Sequence, residues 1–200
     1  MMNDFVIAIA REFGSGGRIV GELLAQELKV PFYDKELVSL AAKESGFAEE
    51  FIQEMEQKRR IDFLNNMYMT SQELPLSEQV FLAQSKAIQE IAKNQSCVIV
   101  GRCADYVLRD KKNCIRVFIH APLELRIKRV KEEYHINKLN LHEYVKKEDK
   151  NRGTYYNYFT QEKWGDVQNY HLTIDSSVGI PIVVDVIKTL LTALPGGVVK

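Results

Sequence analysis

Gly14, Ser15, Gly16, Gly17 and Arg18 form the stretch whose residue types could most directly do chemistry. Three glycines in four residues let the backbone take positive φ and come close to a ligand with no Cβ in the way. If a buried strand leads in and a helix leads out, free N–H groups and the positive helix end converge on the turn and make it an anion site. A plain glycine turn in an α/β protein is the competing reading of the same residues.

Set against the nucleotide-binding pattern G-x-x-x-x-G-K-[ST], the match is partial. With Gly17 as the second glycine, Arg18 takes the lysine position, Ile19 takes the position of the magnesium-binding hydroxyl, and Glu12 replaces the first glycine. With Gly16 instead, Gly17 and Arg18 take the lysine and hydroxyl positions. In both registers Arg18 is the cation of the turn, and a guanidinium can grip phosphate with two donors.

Other candidates share the property of standing just after an apolar run. Asp34 ends 30–34 and either faces a ligand or caps the helix that follows. Arg102 follows Gly101 behind 97–100 and either meets an anion or pairs with Asp105 or Asp110. Asp175 and Ser176 close 170–175, as the edge of a base pocket or as the start of a helix. Arg126 and Arg129 are three apart on one helix and so share a face. Arg152 lies in a polar, aromatic, basic segment, 137–165, that reads either as a mobile lid or as a solvated helix with an aromatic anchor.

Five candidate strands would position these groups: 5–10, 30–34, 97–100, 115–119 and 170–175. Helical patterns lie between them. One follows the glycine turn over 19–28, and 37–95 is mostly helical, broken at Pro75 and restarting at Ser77 to end near Asn94. One begins at 121 with Pro122 in its first turn, one spans 146–152 up to Gly153, and the last runs from Ile180 to Leu194. Alternation of this kind predicts an α/β fold with a parallel sheet.

The chain has 200 residues, 27 Lys+Arg and 27 Asp+Glu. The balance argues against a nucleic acid or acidic membrane partner. No apolar run reaches a membrane span and no leader pattern opens the chain, so the expectation is a cytoplasmic protein. Cys97, Cys103 and Cys114 are odd in number and lack a C-x-x-C spacing, which predicts reduced thiols and no zinc site.

Several segments together resemble the cytidylate kinase-like proteins. The 10–18 stretch, Ala-Arg-Glu-Phe-Gly-Ser-Gly-Gly-Arg, is similar to that group's opening. Val98-Ile99-Val100-Gly101-Arg102 with Ala104-Asp105-Tyr106 resembles its central strand. Asp149-Lys150-Asn151-Arg152, Tyr155-Tyr156, Trp164-Gly165 and Leu172-Thr173-Ile174-Asp175-Ser176 resemble its lid and last strand.

The resemblance implies a three-layer P-loop kinase fold over 1–200: a five-stranded parallel sheet flanked by helices, a helical acceptor-binding region at 35–95 and a lid at 136–165. It also implies ATP-dependent phosphoryl transfer to a nucleoside monophosphate, CMP or dCMP first, with Mg2+ as companion ion. Gly14, Ser15, Gly16, Gly17, Arg18 and Ile19 would take the ATP phosphates, with Asp175 and Ser176 also on the ATP side. Asp34, Arg102 and Asp105 would hold the acceptor, and Arg18, Arg126, Arg129 and Arg152 would stabilise the transferred phosphoryl group. The family's Gly-Arg-Asp is here Gly101-Arg102-Cys103, so the arginine is kept and the acid is lost. No loop hydroxyl stands in the usual magnesium position; Ser15, Asp34 or Asp105 acting through water are substitutes. A kinase for another small molecule, or a nucleotide-binding regulatory protein without turnover, are the alternatives. The 37–95 stretch could also carry a homodimer interface.

Overall fold

A computed structural model of the chain describes residues 4–34 and 75–193. The expected helical region from 35 to 74 therefore lies outside the described residues. Five strands are present: β1 (Val6–Arg11), β2 (Phe32–Tyr33), β3 (Cys97–Val100), β4 (Cys114–His120) and β5 (Leu172–Asp175). They form one sheet in the order β2-β3-β1-β4-β5, every pair parallel. The described helices are α1 (Gly17–Leu28), α2 (Leu76–Asn94), α3 (Ala104–Val107), α4 (Leu123–Glu132), α5 (Leu141–Thr160) and α6 (Ile180–Thr192).

β1 is central because its residues are apolar on both faces, as a strand covered on both sides requires. Ile7 and Ile9 join Val98, Val100, Ile115, Val117 and Ile119 on the face covered by α1 and α6, where Val20, Leu24, Val183 and Ile187 pack. Val6 and Ala8 join Cys97, Ile99 and Cys114 on the opposite face, under Ala87, Ile88 and Ile91 of α2 and Ala104 of α3. With β3 and β2 on one side of β1 and β4 and β5 on the other, the carboxyl end of β1 opens onto the crevice where ligands bind in open α/β sheets.

The five-stranded parallel α/β architecture is the one the sequence predicts, and the differences are local. α2 begins one residue before Ser77, with Pro75 as its N-cap. Proline has no N–H to leave unsatisfied at a helix start, and the Pro75 carbonyl accepts the Glu78 N–H at 2.8 Å. Pro122 likewise caps α4 instead of entering its first turn. α5 runs unbroken through Gly153 for 20 residues. A glycine in a helix interior costs about 1 kcal/mol relative to alanine, too little to stop a helix held by its packing. Trp164 packs over Gly153, where an added Cβ would stand 3.4 Å from Trp164 Cε3. Asn140 caps α5, its side-chain oxygen accepting the Glu143 N–H at 3.1 Å.

Ile7 is fully buried on β1. Ile7→Ala leaves a cavity between the sheet and the α1/α6 layer and is expected to lower stability by about 2–4 kcal/mol. Urea denaturation should show a lower midpoint with an unchanged slope; an unchanged midpoint would contradict the assigned core.

Candidate active site at the carboxyl edge of the sheet

The chain leaves β1 at Arg11 and turns through Gly14 and Gly16, at φ +78° and +80°. Both glycines are needed for closeness as well as for conformation. A Cβ on Gly14 would stand 2.8 Å from the Arg126 carbonyl oxygen, and one on Gly16 would stand 2.6 Å from Ile180 Cδ1. Gly16 is the N-cap of α1 and no side chain caps that helix. The first-turn N–H groups of Gly17, Arg18 and Ile19 therefore have no acceptor within the helix, and they lie at its positive end. Ser15 is buried and turned inward. Its hydroxyl and its N–H donate to the Glu12 carbonyl at 2.9 and 3.3 Å. Its own carbonyl accepts the Ser176 hydroxyl at 2.6 Å. Ser15 and Ser176 thus brace the loop from within.

Arg18 points along the edge toward β2. Its Nε donates to Asp34 Oδ2 at 3.0 Å, and its Nη2 pairs with Glu22 at 2.8 Å. Asp34 also faces Arg11, at 3.6 Å. The structure therefore brings Arg18 and Asp34 together in one ion pair.

α4 and α5 grip the loop from the other side. Arg126 is almost wholly buried, and its Nε donates to the Ala121 carbonyl at 3.0 Å and lies 3.3 Å from Glu12 Oε2. Its Nη1 donates to the Phe13 carbonyl at 3.2 Å and to Asp149. Asp149 in turn accepts the Phe13 N–H at 2.6 Å. Arg129 Nη1 donates to the Gly14 carbonyl at 2.8 Å. Arg152, one turn along α5 from Asp149, donates from Nη1 to the Arg11 carbonyl at 2.9 Å and stands over the Phe13 ring at 5.1 Å. Burial lowers the Arg152 pKa, and Asp149 and Glu148 work against that shift.

Past β3 the backbone takes three consecutive left-handed residues, Gly101, Arg102 and Cys103, at φ +86°, +57° and +56°. Two of them are not glycine, a conformation that costs about 1–2 kcal/mol per residue and that clusters at functional sites. The turn divides its side chains. Arg102 is half-buried at the sheet edge, where its charge acts on Arg11. Cys103 is buried, its thiol pKa raised by burial and by Asp105. Asp105 is 3% exposed and sits within the molecule, near Tyr156 of α5, Tyr170 and Arg116. Of the three residues expected to hold the acceptor, Asp105 is buried, whereas Arg102 and Asp34 are half-buried.

At the far end of the edge, Asp175 caps the short turn Ser176–Val178, accepting the Ser177 N–H at 2.8 Å. That hydrogen bond holds its carboxyl below the usual carboxylate range. Asp175 also lines a cavity of about 460 Å³ with Glu12, His120, Pro122, Thr173 and Val167.

A family model described as the cytidylate kinase-like family matches residues 6–178. The chain belongs to that family. Among solved structures it superposes on an uncharacterized protein from Eubacterium ventriosum ATCC 27560 with a TM-score of 0.72 and 29% identity, covering 95% of this chain and 99% of that one. A gluconokinase from Sinorhizobium meliloti 1021 gives 0.58 and 16%, with 96% and 94% covered. A shikimate kinase from Bacteroides thetaiotaomicron gives 0.56 and 15%, with 94% and 98% covered. At these identities the two kinases share the fold, that of P-loop kinases. No curated protein matches the chain.

Among the described residues, the positions considered for magnesium do not form a side-chain cation site. Ile19 has no side-chain oxygen, Ser15 is fully buried with its hydroxyl on the Glu12 carbonyl, Asp34 faces two guanidinium groups and Asp105 is buried. No group of three or more metal-ligating side chains occurs among the described residues. Mg2+ commonly arrives held by nucleotide phosphates and water.

Three residues of this edge stand in the quoted motifs with no role assigned from the sequence: Arg11, Glu12 and Asp149. Arg11 carried a readable signal, since it directly follows an apolar run, as Arg102 does. Glu12 accepts the Ala121 N–H at 3.1 Å, and Asp149 meets the loop 136 residues away; neither contact has a local sequence signature.

Burial raises the Asp105 pKa, so the native state keeps a proton that the unfolded chain releases. The resulting stability is complete below the ordinary carboxylate range and is lost as pH rises through the folded pKa. Relative to Asp105→Asn, the wild type should therefore lose stability as pH rises from about 4 toward neutrality. Denaturation midpoints for both proteins across that range test this, and parallel profiles would refute it.

Proposed function

We propose that this protein transfers a phosphoryl group from ATP to a small phosphate-bearing acceptor, a nucleoside monophosphate with CMP or dCMP first. The observation that carries this reading is the meeting, at one sheet edge, of an uncapped helix start on a glycine loop with guanidinium groups from β1, the β3 turn and α5. Phosphoryl transfer requires positioning and neutralised charge more than a covalent protein group, and this edge is made of donors and cations.

In this reading the N–H groups of Gly16, Gly17, Arg18 and Ile19 hold the donor phosphates. Asp175 borders the cavity that takes the donor's base, and Ser176 braces the loop beside it through the Ser15 carbonyl. Arg102 holds the acceptor phosphate and Asp34 orients the acceptor side. Arg18 swings from Asp34 to the transferred group, since its ion pairs are exposed and individually weak, about 0–1 kcal/mol each. Arg152 neutralises the developing charge. Arg126 and Arg129 act as positioning residues through the Phe13 and Gly14 carbonyls, holding the path of the loop into the start of α1. Asp105 acts from below, through α5. The nucleotide partner is small, and no described helix is long and apolar enough to cross a membrane.

One observation favours a different small-molecule acceptor over CMP. The residue in place of the family's acid, Cys103, is buried and carries no charge to offer an acceptor. The acid that helps hold CMP in the resemblance has no counterpart there.

The test is a coupled assay of ADP formation with Mg-ATP and a panel of CMP, dCMP, UMP, AMP, gluconate and shikimate. CMP- or dCMP-dependent ADP release is the expected result. Release with gluconate or shikimate alone moves the acceptor assignment, and ATP binding without turnover on any acceptor points to a regulatory nucleotide-binding protein. Arg18→Ala should weaken ATP binding by roughly tenfold or more, the scale of a lost charge-assisted phosphate contact. Unchanged ATP affinity in a titration would remove the glycine loop from the donor site.

A further inference from the structure

We propose that Arg11 binds the anionic group of the acceptor, a phosphoryl dianion, as the third guanidinium beside Arg102 and Arg152. The inference rests on the phosphoryl-transfer reading and adds to it a residue that neither the glycine loop nor the β3 turn contains.

Arg11 is the last residue of β1, immediately before the loop, so its side chain stands between the donor side and the acceptor side of the edge. The β3 turn is shaped around it. A Cβ on Gly101 would collide with the Arg11 guanidinium, so this position demands glycine for space as well as for its positive φ. Arg152 is tied to the same residue through the Arg11 carbonyl, which holds the Arg152 guanidinium against the end of β1. The neighbouring carboxylate, Asp34, is 3.6 Å away and lies closer to Arg18, at 3.0 Å. Asp34 therefore faces two guanidinium groups, while the charges of Arg152, with Asp149 and Glu148 beside it, and of Arg102 also act on Arg11.

The electrostatics give the arrangement a direction. Burial first, then Arg152 and Arg102, pull the Arg11 pKa down to about 9, with Asp34 opposing. Arg11 is still a cation at neutral pH, but folding holds that cation where its charge is disfavoured. A phosphoryl dianion brings negative charge to this cluster, and its three terminal oxygens suit several planar donors. A monoanionic carboxylate neutralises less of the cluster.

The experiment is thermal denaturation of the full chain, wild type and Arg11→Met, in inorganic phosphate and in acetate and chloride at matched ionic strength. A non-hydrolysable ATP analogue is added in a parallel series to occupy the loop. Methionine keeps the aliphatic packing of Arg11 against Gly17 and removes the charge. Without phosphate, Arg11→Met should melt higher than wild type by about 2 °C or more. Phosphate should raise the wild-type Tm more than acetate does, and the rise should fall to less than about half in the variant.

A lower Tm for Arg11→Met without phosphate would make Arg11 a structural ion-pair partner and overturn the proposal, as would an equal phosphate response in both proteins. An acetate response equal to that of phosphate would overturn the assignment of a dianion. Arg11→Gln provides a second variant with the same expectations, and failure of both to fold also overturns the proposal. These readings need no turnover. A protein inactive on every acceptor but showing the Arg11-dependent phosphate response would lose the kinase reading and keep this one. ADP release with an unchanged KM for a phosphate-bearing acceptor in Arg11→Met would do the reverse.

Discussion

Arg126 is the knot on which the edge depends. One buried guanidinium meets the carbonyls of Phe13 and Ala121 and the carboxylates of Glu12 and Asp149. Those partners come from the glycine loop, the β4–α4 turn and α5, three parts of the chain that otherwise need not share a geometry. A buried ion pair offers little net stability over an apolar substitute, yet breaking one leaves an uncompensated charge and costs about 3–5 kcal/mol. Its value here is in specifying position. With both loop carbonyls at 13 and 14 held by arginines, those two peptide planes are oriented, and the path by which the chain enters the uncapped start of α1 is committed. An anion site made of backbone donors needs that commitment before the ligand arrives, because donors already aimed lose little on binding.

The parts of this arrangement that were legible in the sequence are those fixed locally. An apolar run, a glycine cluster and a periodic helix define β1, the loop and α1 within 23 residues, and the structure follows that reading closely. β3 with its trailing glycine and arginine reads just as directly. Asp105 shows where locality ends. Three residues past an arginine at a sheet edge, an acid reads as part of the same site. Three left-handed residues in a row instead send the chain downward, and Asp105 goes into the interior beneath α5. The partnership of Asp149 with the Phe13 N–H depends on how α5 docks, which is a property of the whole fold.

Charge at this edge is segregated although the chain as a whole is balanced. Arg126, with two carboxylates, is neutralised on the α4 side, and Arg18 and Arg11 share Asp34 on the β2 side. The first group is buried and fixed. The second is partly exposed, with side chains free to change partners at small cost. An arginine in place of the loop lysine fits such a scheme. A planar guanidinium can hold a carboxylate in the empty site and a phosphate in the filled one with the same donors, and it remains charged throughout.

Arg152 reaches the edge on an element held along two faces. Asp149, Arg152 and Tyr156, at successive turns, engage the loop, the end of β1 and the region of Asp105. Tyr155, Tyr158 and Phe159 engage α2 through Gln84, Glu78 and Phe81, with the Phe81 and Phe159 rings stacked at 4.4 Å. Had the helix stopped at Gly153, the second set of contacts would be lost, and Arg152 would sit on a frayed end where each productive geometry costs conformational entropy on binding. Continuation through Gly153 moves that cost into folding. The same continuity joins the buried polar cluster around Asp105 to the cations above it, because Tyr156 and Arg152 lie four residues apart on one helix and cannot shift independently.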